Sequence, residues 1–434
     1  MFGVVWRFTY VSLVSWLYLV TYAFARLAAF ARHRDRELRR SAVRRIKGRT
    51  LRRLLAALGA LFIKLGQVMS TRPDLFDREV IDELRLLQDR LPPFPFRHVE
   101  RALSAEYDEP IEAIFAELDR EPVAAASVAQ VHRARLLDGS EVALKVLRPN
   151  VRRQVERDAR ILGWIARLLA LHPQIRLSDP VGHVRHFLEG IVAQTHLRNE
   201  IEHYRLFRAN FAKTPRIRFP LVHESLSSDD LIVMEFIHGT KIDALPPGDY
   251  SQLSATIRGA FLKMCFEDGF LHADLHPGNM VVTPEGDVGI FDVGLVKQLD
   301  DAILIQFIDF SRCITMGDVN DFVAHLKRFH QYLDDVDWQA VRDDIERFAG
   351  KYLRQRAAEL EMSEFINELF ALGRKHRVRP IPELVLILVG VVTAEGIGKM
   401  LSPELNTFKE IAAFLIPVLQ RRGLLAAATS QPNV

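Results

Sequence analysis

The chain has 434 residues, 49% of them hydrophobic and 26% charged, which is enough apolar material for a large core and about two or three lobes. The net charge is only +3, but residues 26–53 hold twelve arginines and lysines against two acids, so the positive charge is local. This distribution argues against a general nucleic-acid-binding surface. Cys265 and Cys313 lie in apolar helical stretches without a CxxC spacing, which argues against a disulfide framework or redox chemistry.

The N-terminal segment, residues 8–25, carries no charge, and its 18 residues are about the minimum length for a membrane-spanning helix. The arginine cluster that follows predicts that the next domain stays on the cytoplasmic face of the inner membrane. We therefore expect a membrane anchor or an interfacial helix, and the sequence does not decide between spanning the membrane and lying on it. A cleaved secretory signal, a mitochondrial presequence and a core-packed helix are the alternatives. The C-terminal stretch FLIPVLQRRGLLAAATS is too short and interrupted to span.

Helical periodicity over residues 51–70 ends at STRPD, because Pro73 cannot continue a helix. In this predicted helix Lys64 and Gln67 stand three positions apart, beside Gly66, and share a face that is otherwise apolar. A lysine that extends to solvent and a tolerated glutamine would be the simplest explanation. Further helices are predicted over residues 77–90 and 97–118.

From Pro122 the residue pattern becomes typical of β-strands. Two such runs flank an Asp-Gly turn at residues 138–139 and predict a hairpin. Later predicted elements are helices over about 151–171 and 181–212, a strand at 231–237, a long helix before residue 269, and nearly continuous helix from about 299. A small β-containing lobe followed by a larger helical lobe is an α+β arrangement.

Three polar residues near the middle of the chain follow a spacing with a chemical meaning. Asp274 and Asn279 are five positions apart in HADLHPGN, and Asp292 closes the second of two short strands that follow. This is the layout of a protein-kinase catalytic aspartate, metal-binding asparagine and metal-binding aspartate. Carboxylate and amide oxygens suit Mg²⁺. His272 and His276 lack the HExxH pattern of a zinc site, so we expect them to shape the loop.

Lys145 lies in VALKVL, on the second predicted hairpin strand, where kinases place the lysine that binds the α- and β-phosphates of ATP. A solvated lysine at a sheet edge is the alternative. Its expected partner is a glutamate from the helix over residues 181–212, and Glu200 is the best candidate.

The first hairpin strand departs from the kinase pattern, because AAASVAQVH stands where a glycine-rich loop would cover the phosphates. Glycine lets backbone amides approach a phosphate without a Cβ in the way. The alanine-rich segment has more restricted backbone angles, so we expect it to bind nucleotide differently and to discriminate between phosphate states.

At this point the chain resembles the UbiB family of atypical kinase-like proteins, also called the aarF-domain family, over about residues 55–410. The segments that carry the resemblance are KLGQ with STRPDLF (64–76), LQDRLPPFPF (87–96), EPVAAASVAQVHRA (121–134), VALKVLRP (142–149), MEFIHG (234–239), HADLHPGN (272–279), FDVGLV (291–296) and PELVLILVGVVTAEGIGKMLSPELN (382–406). The KxGQ segment together with the alanine-rich loop is highly specific. Aminoglycoside-type phosphotransferases share a similar HxDLHPGN loop, but we would not expect both other elements there.

The resemblance implies a two-lobed atypical kinase fold that binds ATP or ADP with Mg²⁺ and hydrolyses ATP. It also implies a role in isoprenoid-quinone (ubiquinone) biosynthesis or lipid homeostasis at a membrane. Implied partners are a membrane lipid or quinone precursor and other quinone-biosynthesis proteins, and a homodimer is compatible with it.

The resemblance also assigns the site residues. Lys64 and Gln67 would point at the nucleotide, from a helix that covers the site where a peptide substrate would dock. The nucleotide-binding set comprises Lys64, Gln67, Ala124, Ala125, Ala126, Ser127, Val128, Lys145 and Glu235. The catalytic set comprises Asp274, Lys145 and Glu200, and the metal ligands are Asn279 and Asp292.

One departure concerns the ExD motif that the family usually has ahead of the glutamate that corresponds to Glu200. An acid of this motif can pair with the lysine of the KxGQ segment. Gln194 and His196 stand at the two acidic positions. Because a buried lysine without a partner is costly, we expect Gln194 or a bound phosphate to satisfy Lys64.

The predicted organisation is an anchor with a basic segment (1–53), a KxGQ helical extension (54–120), an N-lobe (121–239), a C-lobe (240–420) and a tail (421–434). A membrane-associated ATPase or small-molecule phosphotransferase is the leading functional hypothesis. The alternatives are a nucleotide-binding pseudokinase scaffold and a conventional Ser/Thr protein kinase. The missing glycine loop argues against the conventional protein kinase.

Overall fold

The structure is a computed structural model, and it divides the chain into two compact units. Unit 1 comprises Met1–Leu206 with Pro220–Phe236, and unit 2 comprises Phe207–Phe219 with Ile237–Val434. The structure describes residues 2–32, 35–70, 76–87, 93–126, 128–172, 180–315, 319–332, 335–352, 362–402, 413–414, 417–418 and 420–421. Ser127, one of the predicted nucleotide-binding residues, lies outside the described residues.

Unit 1 begins with four helices, of which α1 and α2 form a hairpin. They are α1 (Phe2–Arg32), α2 (Arg36–Leu58), α3 (Ala60–Ser70) and α4 (Arg78–Leu84). The Asp35 carboxylate caps α2 by accepting a hydrogen bond from the Leu38 amide at 2.8 Å. The helix predicted over residues 51–70 is interrupted at Gly59, whose φ of +100° suits glycine. Most of the basic residues therefore lie on α2, which ends before the KxGQ helix α3 begins.

An antiparallel sheet in the strand order β1-β3-β4-β6 forms the centre of unit 1, and β2 pairs with the start of β3, on the same side as β1. The strands are β1 (Phe115–Leu118), β2 (Ala124–Ala125), β3 (Ala129–Leu136), β4 (Glu141–Leu147) and β6 (Leu231–Glu235). Gly139 takes φ +88° in the turn between β3 and β4, so the predicted hairpin and its Asp-Gly turn are confirmed.

The single helix predicted over residues 97–118 is wrong. Helix α5 (Arg97–Glu106) ends early, and the chain reaches β1 after Pro110. Phe115 is buried in the core beneath the sheet, and Leu118 pairs with Ala134 of β3. Pairing with a distant strand overrode the local helical pattern.

Three further described helices complete unit 1 and lead into unit 2: α6 (Val151–Leu169), α7 (Pro180–Gln194) and α8 (Leu197–Phe211). The helical pattern over residues 181–212 is divided at Thr195 and His196. The Leu197 amide at the start of α8 donates to the Asp229 carbonyl at 3.1 Å. Glu200 thereby lies in the first turn of α8, where a carboxylate is favoured by the helix dipole.

Within its described residues, unit 2 has two small sheets, a four-stranded one in the order β5-β10-β9-β7 and a pair formed by β8 and β11. Its strands are β5 (Ile217–Arg218), β7 (Thr240–Lys241), β8 (Phe270–His272), β9 (Met280–Val282), β10 (Val288–Ile290) and β11 (Val296–Gln298). Its helices are α9 (Ser251–Leu262), α10 (Asp301–Thr315), α11 (Val319–Phe329), α12 (Trp338–Tyr352), α13 (Met362–His376) and α14 (Pro382–Leu401). The α+β class and the helical character after residue 299 are confirmed.

Two of the described helices are long and apolar enough to cross a membrane, α1 over Trp6–Arg32 and α14 over Glu383–Leu401. The apolar window of α14 is 56% buried, and its Gly398 carbonyl accepts a hydrogen bond from Ser254 of α9. The window of α1 is only 6% buried. Helix α14 is thus a core helix of unit 2, whereas α1 presents its apolar side chains outward.

Candidate active-site residues

The Lys145 ammonium and the Glu200 carboxylate form a buried, bidentate ion pair in unit 1. The Nζ of Lys145 lies 2.7 Å from Oε1 and 2.8 Å from Oε2 of Glu200. Strand β4 carries the lysine between buried apolar neighbours, and the first turn of α8 supplies the glutamate. A buried charge pair adds little net stability, because the desolvation of both ions offsets much of their attraction, so this arrangement favours a functional role.

The alanine-rich segment forms a tight turn after β2. The Ala126 amide donates to the Ala129 carbonyl at 2.8 Å, and Ala124 and Ala125 pair with β3. Arg148, which the sequence analysis did not single out, donates from Nε to the Ala126 carbonyl at 2.8 Å. One main-chain bond within the segment and one side-chain bond from Arg148 therefore hold Ala126 beside β3 and the end of β4.

Gln130 and His132 are two buried polar residues on β3 that connect the sheet to segments earlier in the chain. The side-chain oxygen of Gln130 accepts from the Phe94 amide at 3.0 Å, and its amide nitrogen lies 2.8 Å from Nε2 of His132. The Nδ1 of His132 donates to the Asp119 carbonyl, and burial lowers the pKa of His132. The AQVH segment therefore has a structural role that its sequence alone did not reveal.

Glu235 lies at the end of β6 and has both main-chain and side-chain links to Leu221. Its carboxylate accepts from the Leu221 amide at 3.2 Å, and its own amide donates to the Leu221 carbonyl at 2.7 Å. The structure thus positions Glu235 through a strand contact, and its role towards a nucleotide stays a prediction.

Helix α3 carries Lys64 and Gln67, both half-buried. The Gln67 amide donates to the Leu87 carbonyl at 3.4 Å, which ties α3 to the segment after α4. Gly66 lets the helix approach its neighbours, since a Cβ there would lie 2.8 Å from Cδ1 of Leu55 and closer still to Leu87. The glycine of the KxGQ segment is therefore a packing requirement.

Lys64 lines a cavity of about 400 Å³ inside unit 1, together with Val128 of the alanine turn. Arg7 and Asp158 also line it and form an ion pair with Nε to Oδ1 at 2.8 Å. The structure thus brings Lys64 to the turn predicted to contact phosphate. His196 pairs with Asp229 at 2.8 Å, and the expectation that Gln194 satisfies Lys64 stays a prediction.

In unit 2, His272 organises the loop that carries Asp274. Its Nδ1 accepts a hydrogen bond from the Asp274 amide at 3.2 Å, so its Nε2 carries the proton and donates to the Phe291 carbonyl at 3.2 Å. Burial is the main reason that the pKa of His272 lies below its ordinary value. The neutral ring therefore links the segment of Asp274 to the residue before Asp292.

The β9–β10 pair brings Asn279 against Phe291, the residue that precedes Asp292. The Phe291 amide donates to the Asn279 carbonyl at 2.9 Å, and Asn279 Nδ2 donates to the Asp274 carbonyl at 3.1 Å. This use of the amide nitrogen directs the amide oxygen elsewhere, as a metal ligand requires. Asp292 has φ +53°, a left-handed conformation that is uncommon outside glycine and frequent at functional sites. An amide oxygen and a carboxylate are a donor set that fits Mg²⁺.

His276 has a local role in the same loop, where its Nδ1 accepts from the Gly278 amide at 3.1 Å. The three ligand-type residues Asp309, Cys313 and His325 offer atoms within 4.8 Å of one another on α10 and α11. The Arg312 guanidinium lies 3.2 Å from Asp309 and 3.6 Å from the Cys313 sulfur, so a cation already occupies that cluster. We assign no metal to it.

Two family patterns match the chain in succession. Residues 86–326 match the ABC1 atypical kinase-like domain, and residues 345–406 match the UbiB helical domain. The first range includes Lys145, Glu200, Asp274 and Asn279, whereas Lys64 lies ahead of it.

Curated relatives match over most of the chain. A probable protein kinase UbiB of Aliivibrio fischeri is 31% identical over 387 residues, which cover 85% of this chain and 70% of that protein. The Arabidopsis thaliana protein ACTIVITY OF BC1 COMPLEX KINASE 7, chloroplastic, is 31% identical over 381 residues. That match covers 86% of this chain but 55% of the relative, so the chain spans about half of its length.

A solved structure supports the fold. The complex of Rv3197 with erythromycin, from Mycobacterium tuberculosis, superposes with a TM-score of 0.57 at 21% sequence identity. The superposition covers 82% of this chain and 91% of the other. At this identity the similarity indicates a shared fold alone.

Proposed function

Because the chain belongs to the UbiB family of atypical kinase-like proteins, we propose that it binds Mg-ATP or ADP and catalyses phosphoryl transfer or hydrolysis. The observation that carries this proposal is the buried, bidentate Lys145–Glu200 pair. A lysine fixed in this way offers its charge at one position, which suits the α- and β-phosphates of a nucleotide. The acceptor can be water or a small molecule.

Each residue of the proposed site has a separate role. Lys145 binds phosphate and Glu200 holds the lysine in place. Asp274 lies beside the attacking hydroxyl or water and accepts its proton, and His272 fixes the Asp274 backbone. Asn279 and Asp292 would hold Mg²⁺, which supplies charge neutralisation at the phosphates when bound.

We further propose that the protein acts at a membrane, in isoprenoid-quinone biosynthesis or lipid homeostasis. The names of its relatives and the exposed apolar side chains of α1 support this role. A membrane lipid or quinone precursor, other quinone-biosynthesis proteins and a second copy of the chain are the proposed partners.

The alanine turn favours a second candidate, a pseudokinase scaffold that binds nucleotide without turnover. Its backbone is fixed by the Ala126–Ala129 and Arg148–Ala126 hydrogen bonds, so it has less freedom than a glycine loop to follow a changing phosphate.

One experiment separates these candidates. The full chain in mild detergent is tested for a thermal shift with ATP and with ADP, each with and without Mg²⁺, and for ATP hydrolysis. We expect a Mg²⁺-dependent shift and a hydrolysis that Asp274→Asn removes while binding persists. Binding without hydrolysis by the unmodified protein would select the scaffold, and no shift with either nucleotide would overturn both.

A further inference from the structure

Helices α1 and α2 run antiparallel, with Tyr10–Phe30 of α1 against Arg39–Ala57 of α2, and form what we call the N-terminal hairpin (residues 2–58). At one end, Tyr10 of α1 donates to the Ala57 carbonyl at 3.1 Å. At the other end, the Arg39 guanidinium lies 4.7 Å from the centre of the Phe30 ring. The two helices are therefore one structural element, and neither can enter a different environment without the other.

The open end of the hairpin is attached to α6. Arg7 donates to both carboxylate oxygens of Asp158, at 2.8 and 3.1 Å, and Phe8 makes an edge contact with Trp164 at 5.7 Å. Helix α2 returns to the same end and continues into α3. The start of α1 and the end of α2 thus both lie at the open end of the hairpin, next to the rest of unit 1.

Two opposite faces of α1 differ in exposure. Val11 is 2% exposed and Ala29 is 6% exposed, and both point towards one side of a helix with 3.6 residues per turn. The opposite side carries large apolar side chains that are 56–70% exposed, which we call the apolar strip. It comprises Trp6, Leu13, Trp16, Leu17, Phe24 and Leu27.

Helix α2 is strongly basic, in contrast to the apolar strip of α1. It contains nine arginines and lysines and one acid, Glu37, over 23 residues. Arg40, Arg45, Lys47 and Arg53 are exposed. At about 35 Å, α2 is as long as a hydrocarbon core is thick, so a hairpin that crossed a bilayer would carry these charges into it. Ionised arginine is strongly disfavoured there, which argues against a spanning α1.

We propose that the N-terminal hairpin lies in the plane of an anionic lipid surface, with the apolar strip at the acyl boundary and the α2 cations on lipid phosphates. An exposed apolar strip on α1, next to a helix α2 with exposed cations around its circumference, is complementary to such a surface. The inference rests on the membrane association in the proposed function, and it names the mode of that association and the lipid charge.

A labelling experiment distinguishes lying on the membrane from crossing it. Full-length Asp35→Cys, with the new thiol at the tip of the hairpin, is bound to sealed vesicles of phosphatidylcholine and phosphatidylglycerol and treated with an impermeant maleimide. Ser140→Cys, in the exposed β3–β4 turn, is the control, and Cys265 and Cys313 are buried. We expect equal labelling of both variants from outside. An Asp35→Cys thiol that reacts only after the vesicles are opened would overturn the proposal.

Vesicle flotation tests the two surfaces separately. Arg40→Gln/Arg45→Gln/Arg53→Gln is expected to weaken binding to vesicles with about 30% phosphatidylglycerol by about 100-fold, since each cation near an anionic surface contributes about fivefold. Trp16→Gln/Leu27→Gln is expected to prevent flotation, and Leu171→Gln, an exposed apolar residue after α6, is the control. Equal binding to vesicles of phosphatidylcholine alone would overturn the anionic surface.

A third outcome concerns a second copy of the chain. If the apolar-strip variants convert a dimer to a monomer in sedimentation and leave flotation unchanged, the strip is a protein interface and the proposal is wrong. None of these variants touches the Lys145 or Asp274 segments, so nucleotide-induced thermal shifts are expected to stay unchanged. The membrane test can therefore be interpreted even if the protein binds no nucleotide. The nucleotide test can likewise be interpreted if the hairpin does not bind the membrane.

Discussion

Lys145 lies 2.7 and 2.8 Å from the two carboxylate oxygens of Glu200, and both side chains are more than nine-tenths buried. Since the two buried charges compensate each other, removal of one partner is costly, and the pair can be tested by stability and by ligand binding separately.

The first prediction concerns single and double changes of this pair. Glu200→Gln is expected to lower the free energy of unfolding by about 3 kcal/mol, because the Lys145 charge loses its carboxylate. Lys145→Met/Glu200→Leu is expected to recover most of that loss and still to bind no nucleotide. Chemical denaturation and a nucleotide thermal shift measure the two effects. A double variant that keeps normal nucleotide affinity would show that Lys145 binds no phosphate.

The sequence allowed this pair to be anticipated, because Lys145 is a cation between apolar neighbours on a strand. Glu200 was the best candidate for its partner within the helix predicted over residues 181–212. Arg148 and Gln130 were not anticipated as organising residues, and His272 was expected to shape its loop but without its partners being known. Their partners are backbone atoms of Ala126, Phe94 and Phe291, and no residue pattern shows which distant carbonyl or amide a side chain will meet.

The second prediction concerns Asp292, which holds φ +53°. Asparagine tolerates this conformation, so Asp292→Asn should keep the fold while removing a charged metal ligand. We expect ATP hydrolysis to fall by at least about 100-fold, which corresponds to ~3 kcal/mol of lost charge stabilisation. The Mg²⁺ dependence of the nucleotide thermal shift should also disappear. Asp243→Asn, the same change at an exposed position, is the control and should have no effect. Unchanged hydrolysis by Asp292→Asn would remove this residue from the metal site.

The error over residues 97–118 has a comparable physical origin. The periodicity there is helical and acidic, yet the last four residues of the segment enter the sheet as β1 and bury Phe115. Hydrophobic burial against β3 outweighs a weak local preference, and that burial depends on a partner strand later in the chain. The long, strongly periodic helices after residue 299 contain no such conflict, which is why they were predicted correctly.

The third prediction is a pH dependence from His272, whose pKa burial lowers. Below about pH 6.5 the unfolded chain binds a proton at this histidine, whereas the folded chain does not until a lower pH. Stability should therefore fall as the pH drops through that window, by up to ~1.4 kcal/mol per pH unit for this one proton. His272→Gln keeps a donor for the Phe291 carbonyl and should reduce the slope.

The comparison for His272 is His276→Gln, which changes an exposed imidazole in the same loop and should leave the slope unaltered. His132 and His376 also have lowered pKa values, both mainly through burial, so His272→Gln reduces the slope without abolishing it. Denaturation midpoints from pH 5 to pH 8 give the measurement. Identical slopes for the unmodified chain and His272→Gln would contradict the assignment of a buried neutral ring.

The fourth prediction separates packing from function in the KxGQ helix. A Cβ at Gly66 would lie 2.8 Å from Leu55 and would also press on Leu87, so Gly66→Ala should cost about 1–3 kcal/mol of stability. Gly163→Ala is the matched control, because this glycine lies inside α6 with no atom within 4 Å of a new Cβ. It should stabilise the chain by about 0.5–1 kcal/mol, since alanine is the better helix former.

Lys64→Ala completes this comparison. Its side chain lines the cavity beside Val128, so its removal should change nucleotide affinity or hydrolysis with little loss of stability. Thermal denaturation with and without ADP measures both quantities for the three variants. If Lys64→Ala binds and hydrolyses nucleotide like the unmodified chain while Gly66→Ala alone is impaired, the KxGQ helix acts through packing, and Lys64 has no part in the nucleotide site.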